Sequence, residues 1–204
     1  MLMRRHASRG ISIIELMVVV TMIGIMLMLA IPGIGNWISN SRVRTVAEEL
    51  QNGLRLAQAE AVNRNRTVAY VRTAATPARN AAPSATGRNW YVQVLSINAV
   101  EGATTDFQDN AYVQGGTFSA ESGANVTGPA LVCINSVGRV VSLTATETGL
   151  GAACVAPTLS DDPTDFGIAL PASDRGMRIE LFLGCRVRMC DPLAATGQPS
   201  VCTP

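Results

Sequence analysis

Arginine is the only strongly basic residue of the chain, and this restricts the chemistry available to it. All 16 lysine-or-arginine positions are arginine, and the single histidine is His6. Without lysine, the chain can form neither a Schiff base nor the phosphate-binding lysine of a P-loop. Asp161, Asp162 and Asp165 could supply a carboxylate acid/base pair, but such a cluster in a proline-containing loop is more typical of a solvated turn.

A single carboxylate, Glu15, stands at the start of a long apolar stretch. No charged residue occurs from Leu16 to Ser41. A helix that crosses a bilayer needs about 20 mostly apolar residues, so this stretch is long enough to span one. An ionisable group at such a place is costly unless it is paired, which makes Glu15 a candidate functional residue.

The residues before the apolar stretch are basic, and they predict its orientation. Arg4, Arg5 and Arg9 precede it, so the positive-inside rule places the N-terminus in the cytoplasm and the rest of the chain outside. A cleaved secretory signal peptide is the alternative. Its apolar region usually has about 7 to 15 residues and ends at an A-x-A-like site, and no such site follows cleanly here.

The residues around Glu15 resemble the processing site of type IV prepilins and type II secretion pseudopilins. A basic leader ends at Gly10, and Ile11-Ser12-Ile13-Ile14-Glu15-Leu16 opens the apolar helix. In that family a prepilin peptidase cuts after the glycine and methylates the new N-terminus, which implies cleavage between Gly10 and Ile11 and N-methylation of Ile11. The resemblance also implies that Glu15 is an assembly residue, which helps to neutralise the N-terminus of an adjoining subunit. Ile11 departs from the family pattern, where phenylalanine is most common.

Hydrophobic periodicity predicts a long helix followed by strands. Pro32, with Gly33 and Gly35 nearby, is expected to kink or loosen the helix. Beyond it, an apolar stripe at three- and four-residue steps predicts a face that packs on a sheet: Val43, Val46, Leu50, Leu54, Ala57, Ala61 and Val62. From residue 67 onward, short β-branched or aromatic runs predict an antiparallel sheet: 67–71, 90–97, 111–118, 131–135, 139–143, 177–183 and 186–190. Two turn-rich loops, 73–88 and 149–163, separate some of these runs.

This element order predicts an α+β fold, in which a long N-terminal α-helix packs on an antiparallel β-sheet head. The pilin resemblance implies the same architecture. We predict a cleaved leader over residues 1–10 and a helix over 11–65, with the membrane and filament core in 11–37. Residues 66–204 are predicted to form a β-rich globular head.

Two later segments resemble one branch of the family, the minor pilins and pseudopilins grouped as GspH/FimT/FimU. Residues 131–139 (LVCINSVGR) are similar to that branch's strand and glycine turn. Residues 186–192 (RVRMCDP) are similar to its C-terminal strand. The resemblance covers about residues 1–60 and 130–192, and it is loose elsewhere.

The five cysteines lie beyond the helix, as expected of an oxidised extracytoplasmic domain: Cys133, Cys154, Cys185, Cys190 and Cys202. Spacing alone does not choose between the possible pairings. We favour Cys133 with Cys154, which closes the loop after the glycine turn, and Cys190 with Cys202, which ties down the tail, leaving Cys185 free. Zinc is the alternative, but no cysteine pair has the C-x-x-C spacing and no histidine supports it.

Charge is unevenly distributed along the chain. Residues 42–88 carry eight arginines against three glutamates, whereas residues 89–174 carry nine acidic residues against one arginine. FimT-type relatives are implicated in DNA uptake through a G-R-x-R motif, which the sequence Gly184-Cys185-Arg186-Val187-Arg188 resembles except for Cys185. On a strand, Arg186 and Arg188 would share a face and could meet successive phosphates. The alternative is that both are solvated charges near Asp191 and Glu180.

The resemblance implies a structural role, as a minor pilin or pseudopilin that takes part in assembly, initiation or the tip complex of a type IV pilus. A DNA-binding minor pilin for natural transformation and a GspH-like pseudopilin of type II secretion remain open. The implied partners are the prepilin peptidase, other minor and major pilins, and inner-membrane lipid, with DNA a further candidate. The implied location is the bacterial inner membrane, with a single pass and the head in the periplasm, and later the pilus or pseudopilus.

Cleavage of the leader would remove His6, and the mature chain would then hold neither histidine nor lysine. Ser–His, Cys–His and Ser–Lys nucleophile systems could not form in it. We therefore predict no enzyme activity, no cofactor and no metal.

Overall fold

The structure is a computed structural model that describes residues 11–118, 123–158, 162–171, 173 and 175–203, without the side chains of residues 29–34 and 36. The chain divides into two units between Ile38 and Ser39. Helix α1, Ile13–Asn63, begins in the first unit and ends in the second. Its backbone is helical through Pro32 and Gly33.

The second half of α1 buries the apolar stripe that the sequence predicts. Val43, Val46, Leu50 and Leu54 are almost completely buried in the core of the second unit. Burial of one such aliphatic side chain stabilises the fold by about 1.5–3 kcal/mol. Val62, which the sequence places on the same stripe, is instead 53% exposed, because it directly follows the buried Ala61 and so lies about 100° around the helix from it.

Helix α1 ends in a Schellman motif. Asn65 adopts a left-handed conformation with φ of 51°. The N–H of Arg66 donates to the carbonyl of Ala61, and the N–H of Asn65 donates to the carbonyl of Val62. Asparagine tolerates this conformation better than most residues other than glycine, which explains the stop without a glycine or proline.

The described strands form two antiparallel sheets rather than the one sheet that the sequence predicts. Sheet A has the order β3-β2-β1-β5-β6, and sheet B has the order β4-β7-β8-β9. The strands of sheet A are β1 Val68–Thr73, β2 Asn89–Val94, β3 Tyr112–Thr117, β5 Leu131–Ile134 and β6 Val140–Val141. The strands of sheet B are β4 Asn125–Val126, β7 Thr164–Ala169, β8 Met177–Leu181 and β9 Val187–Cys190. The short helices are α2 Ala99–Gly102, α3 Thr105–Ala111 and α4 Ala145–Thr148.

The α+β class predicted from the sequence is confirmed, but several elements escaped prediction. Strands β4 and β7 and the three short helices are absent from the sequence-based assignment. Several predicted strands are shortened: β2 stops at Val94, β8 stops at Leu181, and β6 retains only Val140 and Val141. The predicted glycine turn is present, and Gly138 has a φ of 78° there.

One core lies between α1 and the inner faces of both sheets. Tyr70 and Val92 line it from sheet A, and Phe166 and Ile179 line it from sheet B. A smaller core covers the other face of sheet A and includes the bridge between Cys133 and Cys154. Strand β1 is therefore buried on both faces. A hydrogen bond from the N–H of Val140 in β6 to the carbonyl of Leu183 also links sheet A to the turn between β8 and β9.

Candidate functional site

The described side chains at the start of α1, in the first unit, form a surface that is apolar and exposed on all sides of the helix. Large apolar side chains are exposed throughout residues 11–28, including Ile13, Leu16, Ile23 and Met26. A helix that is apolar all round is normally buried, either in a protein core or in a membrane. Within the described residues nothing covers this surface, which is typical of a helix that binds a partner or enters a membrane.

Glu15 lies in the first turn of α1 and is exposed. A carboxylate there is favourably placed with respect to the positive end of the helix dipole. Ile11 is also exposed, whereas Gly10, the other residue of the predicted cleavage site, lies outside the described residues. Cleavage, methylation and the assembly role of Glu15 stay predictions.

Among the residues that the structure describes, no helical stretch is both long and apolar enough to cross a membrane.

The two arginines of the G-R-x-R-like segment lie on the last hairpin of sheet B. The register of β8 and β9 places Glu180 opposite Arg188, and a hydrogen bond joins the N–H of Phe182 to the carbonyl of Arg186. Side chains alternate between the two faces of a strand. The side chains of Glu180 and Arg188 therefore lie on the face opposite the core residues Ile179 and Leu181. Arg186 and Arg188 therefore share the outer face, as expected on a strand.

Each of these arginines already has a partner within the chain. The guanidinium of Arg186 lies 4.1 Å from the centre of the Phe182 ring, and the side chain remains exposed to solvent. The Nη2 of Arg188 donates to the carbonyl of Val201 at 2.6 Å and to that of Pro199 at 3.3 Å. Its Nη1 lies 3.9 Å from the carboxylate of Glu180. Arg188 is thus held by the tail rather than presented to a phosphate.

The tail closes over Glu180, which is completely buried. The backbone N–H of Thr203 donates to Oε1 of Glu180 at 2.5 Å, and the Thr203 hydroxyl donates to Oε2 at 2.9 Å. The bridge between Cys190 and Cys202 holds the tail in place, with the Cα atoms 5.0 Å apart. A buried carboxylate is tolerated only when it is paired and hydrogen-bonded, and the tail supplies those partners.

Other arginines of this region are also matched by carboxylates. Arg178 lies 3.2 Å from Asp165, and Arg175 lies 3.8 Å from Asp191. Desolvation by burial raises the pKa of Asp165, and the charge of Arg178 partly offsets this. Arg186 is the C-terminal arginine for which the described residues show no carboxylate partner. Binding of nucleic-acid phosphates needs clustered positive charge, so the DNA-binding hypothesis now depends mainly on Arg186.

The cysteines form the two bridges that the sequence analysis favours, Cys133 with Cys154 and Cys190 with Cys202. Sulfur and carboxylate atoms of Cys190, Cys202 and Glu180 lie within 4.8 Å of one another, a spacing compatible with metal binding. Because both sulfurs are in the bridge, they offer no thiolate to a metal.

Cys185 remains a free thiol and is buried. Burial raises its pKa to about 12. It has a φ of 57°, the left-handed conformation that glycine adopts most easily. Cysteine therefore occupies, at some strain, the position where the FimT-type motif has glycine.

The carboxylates of the acidic loop do not form a catalytic pair within the described residues. Asp165 is engaged by Arg178, and Asp162 is exposed. Asp161 lies outside the described residues.

Buried Arg72 is a residue that the sequence analysis missed. It lies on β1, is only 1% exposed, and donates to the carbonyls of Gly87, Gly128 and Val126. Val126 belongs to β4, so the guanidinium connects sheet A to sheet B. Desolvation lowers the pKa of Arg72. The available signal was an arginine directly after the predicted run 67–71, on the strand face that also carries Val68 and Tyr70, but arginine is rarely fully buried and so is not expected in a core.

Comparison with known proteins gives one family match and several structural ones. The model of the family described as type II transport protein GspH matches residues 46–160. The minor pilin FimU of Pseudomonas aeruginosa PAO1 is 14% identical, with 78% of this chain and 98% of that chain covered and a TM-score of 0.47. The minor pseudopilin EpsH of Vibrio cholerae is 13% identical, with 75% and 99% covered and a TM-score of 0.42. No curated protein matches the chain in sequence.

Proposed function

The chain belongs to the GspH family of minor pilins and pseudopilins, and we propose that it is a minor subunit of a type IV pilus. In this role it waits in the inner membrane as a monomer, with its head in the periplasm. It then enters the filament through its N-terminal helix and takes part in assembly, initiation or the tip complex. Its partners are the prepilin peptidase, other minor and major pilins, and membrane lipid.

The observation that carries this proposal is the exposed apolar surface of residues 11–28. Exposed apolar patches of this extent mark sites of interaction with proteins or membranes. A bilayer and the packed helices of a filament are both environments that would cover such a helix on all sides. The absence of charge from Leu16 to Ser41 supports the same interpretation.

Processing would create the mature end of this helix. Cleavage between Gly10 and Ile11 removes the basic leader and leaves Ile11 as the methylated N-terminus. Glu15 then lies one helical turn away on an otherwise uncharged surface, where pairing with the N-terminus of an adjoining subunit would offset the cost of burying its charge.

A replacement of Glu15 tests this proposal in cells. The Glu15→Ala chain should be processed normally, because the cleavage site is unchanged, but it should stay in the membrane fraction and be absent from sheared filaments. Glu48→Ala is the matched control, since Glu48 is an exposed glutamate on the same helix and its ion pair within the described residues is with Arg44. The control should enter filaments at the level of the unmodified chain. Equal amounts of both variants in filaments would refute the assembly role.

Type II secretion is the second candidate, and the match to the family of type II transport protein GspH favours it. A pseudopilus would use the same helix, the same processing site and Glu15 in the same way. Deletion of the gene separates the two systems. Loss of piliation with normal secretion supports the pilus, whereas retained exoproteins with normal piliation support secretion.

A further inference from the structure

The tail, residues 191–203, lies against the last hairpin of sheet B with almost no apolar packing of its own. No residue of this segment is fully buried, and residues 192–200 are exposed except for Ala194. Burial of apolar surface is the main force that holds a folded segment in place, and the tail has little of it. Its position therefore depends on specific polar and covalent contacts.

The polar contacts are hydrogen bonds to two side chains of the hairpin. Glu180 accepts from the backbone N–H and from the hydroxyl of Thr203. The Nη2 of Arg188 donates to the carbonyls of Pro199 and Val201. Each such bond contributes only a fraction of its gross strength, because water takes the place of the lost partner when the segment opens.

The covalent contact is the bridge between Cys190 and Cys202, which joins the tail to the end of β9. The two cysteines are 12 residues apart in sequence. While the bridge is intact, the ends of this loop cannot separate. Loss of the cross-link in a loop of this size favours the open form by about 100-fold, because chain entropy is released. The bridge is therefore the main determinant of whether the tail stays closed.

The two bridges of the chain differ in their access to solvent. Cys133 and Cys154 are 0% and 2% exposed, and both lie in the smaller core on sheet A. Cys202 is partly exposed, although its partner Cys190 is buried. Reduction begins when a thiolate attacks a disulfide sulfur, so it depends on access to that sulfur. An external thiol can therefore attack at Cys202, with Cys190 as the leaving thiolate, before it reaches the other bridge.

The closed tail withholds Arg188 from a surface that carries two arginines. Arg186 and Arg188 share the outer face of the hairpin, and Arg186 is exposed, with its guanidinium on the Phe182 ring. The Nη2 of Arg188 is occupied by the tail. The 3.9 Å ion pair with Glu180 involves Nη1, so it leaves Nη2 free once the tail opens. Two guanidinium groups on one face are suited to an anion with several oxygens, such as a phosphate.

We propose that the bridge between Cys190 and Cys202 is a redox latch on an autoinhibitory tail. In the oxidised chain the tail is closed and occupies Arg188. A dithiol reductant transfers two electrons and two protons to the bridge, which leaves two thiols on the chain and a disulfide on the reductant. The tail then opens, and Arg186 and Arg188 face anions together. The latch does not rest on the proposed role in a pilus.

Stepwise reduction of the full-length chain in detergent tests the selectivity of the latch. The native chain is treated with dithiothreitol for increasing times, alkylated with iodoacetamide and mapped by peptide mass spectrometry. Cys190 and Cys202 should be alkylated about tenfold faster than Cys133 and Cys154. Reduction of both bridges at the same rate, or earlier reduction of the buried one, would overturn the proposal.

Amide hydrogen exchange tests whether loss of the bridge opens the tail. The N–H groups of Asp191 and Thr203 are both hydrogen-bonded in the closed tail. Both should exchange about 100-fold faster in the chain that carries Cys190→Ser and Cys202→Ser. The N–H of Phe182, which is hydrogen-bonded within the hairpin, is the control and should keep its protection.

Two exchange results contradict the latch. Unchanged protection of Asp191 and Thr203 in the double serine variant would show that the hydrogen bonds alone keep the tail closed. An equal loss of protection at Phe182 would show that the hairpin unfolds rather than that the tail opens.

Arginine modification measures the release of Arg188 directly. Phenylglyoxal condenses with guanidinium groups that are open to solvent, and mass spectrometry gives the modified fraction of each arginine. In the oxidised chain Arg188 should react about tenfold more slowly than Arg186, and after reduction the two rates should be similar. Buried Arg72 should stay unmodified in both states. Equal rates in the oxidised chain, or a slow Arg188 after reduction, would overturn the proposal.

Elution from phosphocellulose tests the autoinhibitory role, with the phosphate groups of the matrix as the probe. The reduced chain should elute at higher salt than the oxidised chain, because a second guanidinium becomes available. Arg188→Gln should abolish this difference, whereas Arg88→Gln, at an exposed arginine of the head, should preserve it. Equal elution of the oxidised and reduced chains, or a difference that persists in Arg188→Gln, would refute the role of the tail as a cover for Arg188.

Discussion

Replacement of Arg72 should destabilise the head far more than replacement of any exposed arginine. The Arg72 guanidinium donates to three carbonyls, those of Gly87, Gly128 and Val126, and so ties β1 to β4 and to two loops. In Arg72→Ala these carbonyls lose a charged donor, and a cavity opens in a buried region. Disruption of a buried charged network typically costs about 3–5 kcal/mol, so we expect a loss of this size in the free energy of unfolding.

The assay is thermal unfolding of the full-length chain in detergent, followed by near-UV circular dichroism. For a chain of this size each kcal/mol corresponds to about 2–4 °C, so Tm should fall by roughly 6–20 °C. Arg88→Ala, at an exposed arginine nearby in sequence, is the control and should change the free energy by less than about 0.5 kcal/mol.

Arg72→Met separates packing from hydrogen bonding, because it restores most of the volume but none of the donors. It should retain at least half of the loss seen in Arg72→Ala, since unsatisfied buried carbonyls remain costly. Wild-type stability of Arg72→Met, or a loss below about 1 kcal/mol in Arg72→Ala, would refute the reasoning.

Three further predictions concern the C-terminal region. Replacing Cys190 and Cys202 by serine should lower the free energy of unfolding by about 2–3 kcal/mol in chemical denaturation, because the bridge closes a short loop; an unchanged midpoint would contradict this. Arg186→Gln should abolish any retardation of DNA at low salt in a gel-shift assay. Arg188→Gln should leave the retardation unchanged, because Arg188 already donates to carbonyls of the tail. Loss of retardation in Arg188→Gln but not in Arg186→Gln would show that the tail opens. Cys185 should react with maleimide at pH 8 only in denaturant, because the thiol is buried. Its pKa in the folded chain, about 12, lies above its ordinary value, so the free energy of unfolding should fall as pH rises above about 9. Rapid labelling of the native chain at pH 8 would be inconsistent with the buried thiol.

The parts of the fold that could be predicted from sequence are those with a local periodic signal. The stripe from Val43 to Ala61 repeats at helical spacing, and burial of one helix face fixes that spacing directly. Strands β1, β5 and β9 have dense β-branched or apolar runs for the same reason. The two cysteine pairs that we favoured are formed, although spacing alone does not choose between the possible pairings; one closes the loop after the glycine turn and the other ties down the tail.

The parts that could not be predicted depend on contacts between distant segments. Strand β4 has only two residues, too few to show a recognisable alternation of apolar and polar residues. Nothing in the sequence around it indicates that it pairs with β7 rather than with a strand of sheet A. Glu180 and Arg188 are charged residues of the kind that normally face solvent at a sheet edge. Only the folded tail buries Glu180 and supplies the carbonyl of Val201 to which Arg188 donates. Arg72 is similar, because two of its three acceptors, the carbonyls of Gly128 and Val126, lie 56 and 54 residues further along the chain.

The most direct test of the central claim is the intact mass of the chain recovered from sheared filaments. We expect a chain that begins at Ile11, carries one methyl group on its N-terminus and contains two disulfide bridges. A chain that retains residues 1–10, or one that is missing from filaments while present in cells, would contradict it.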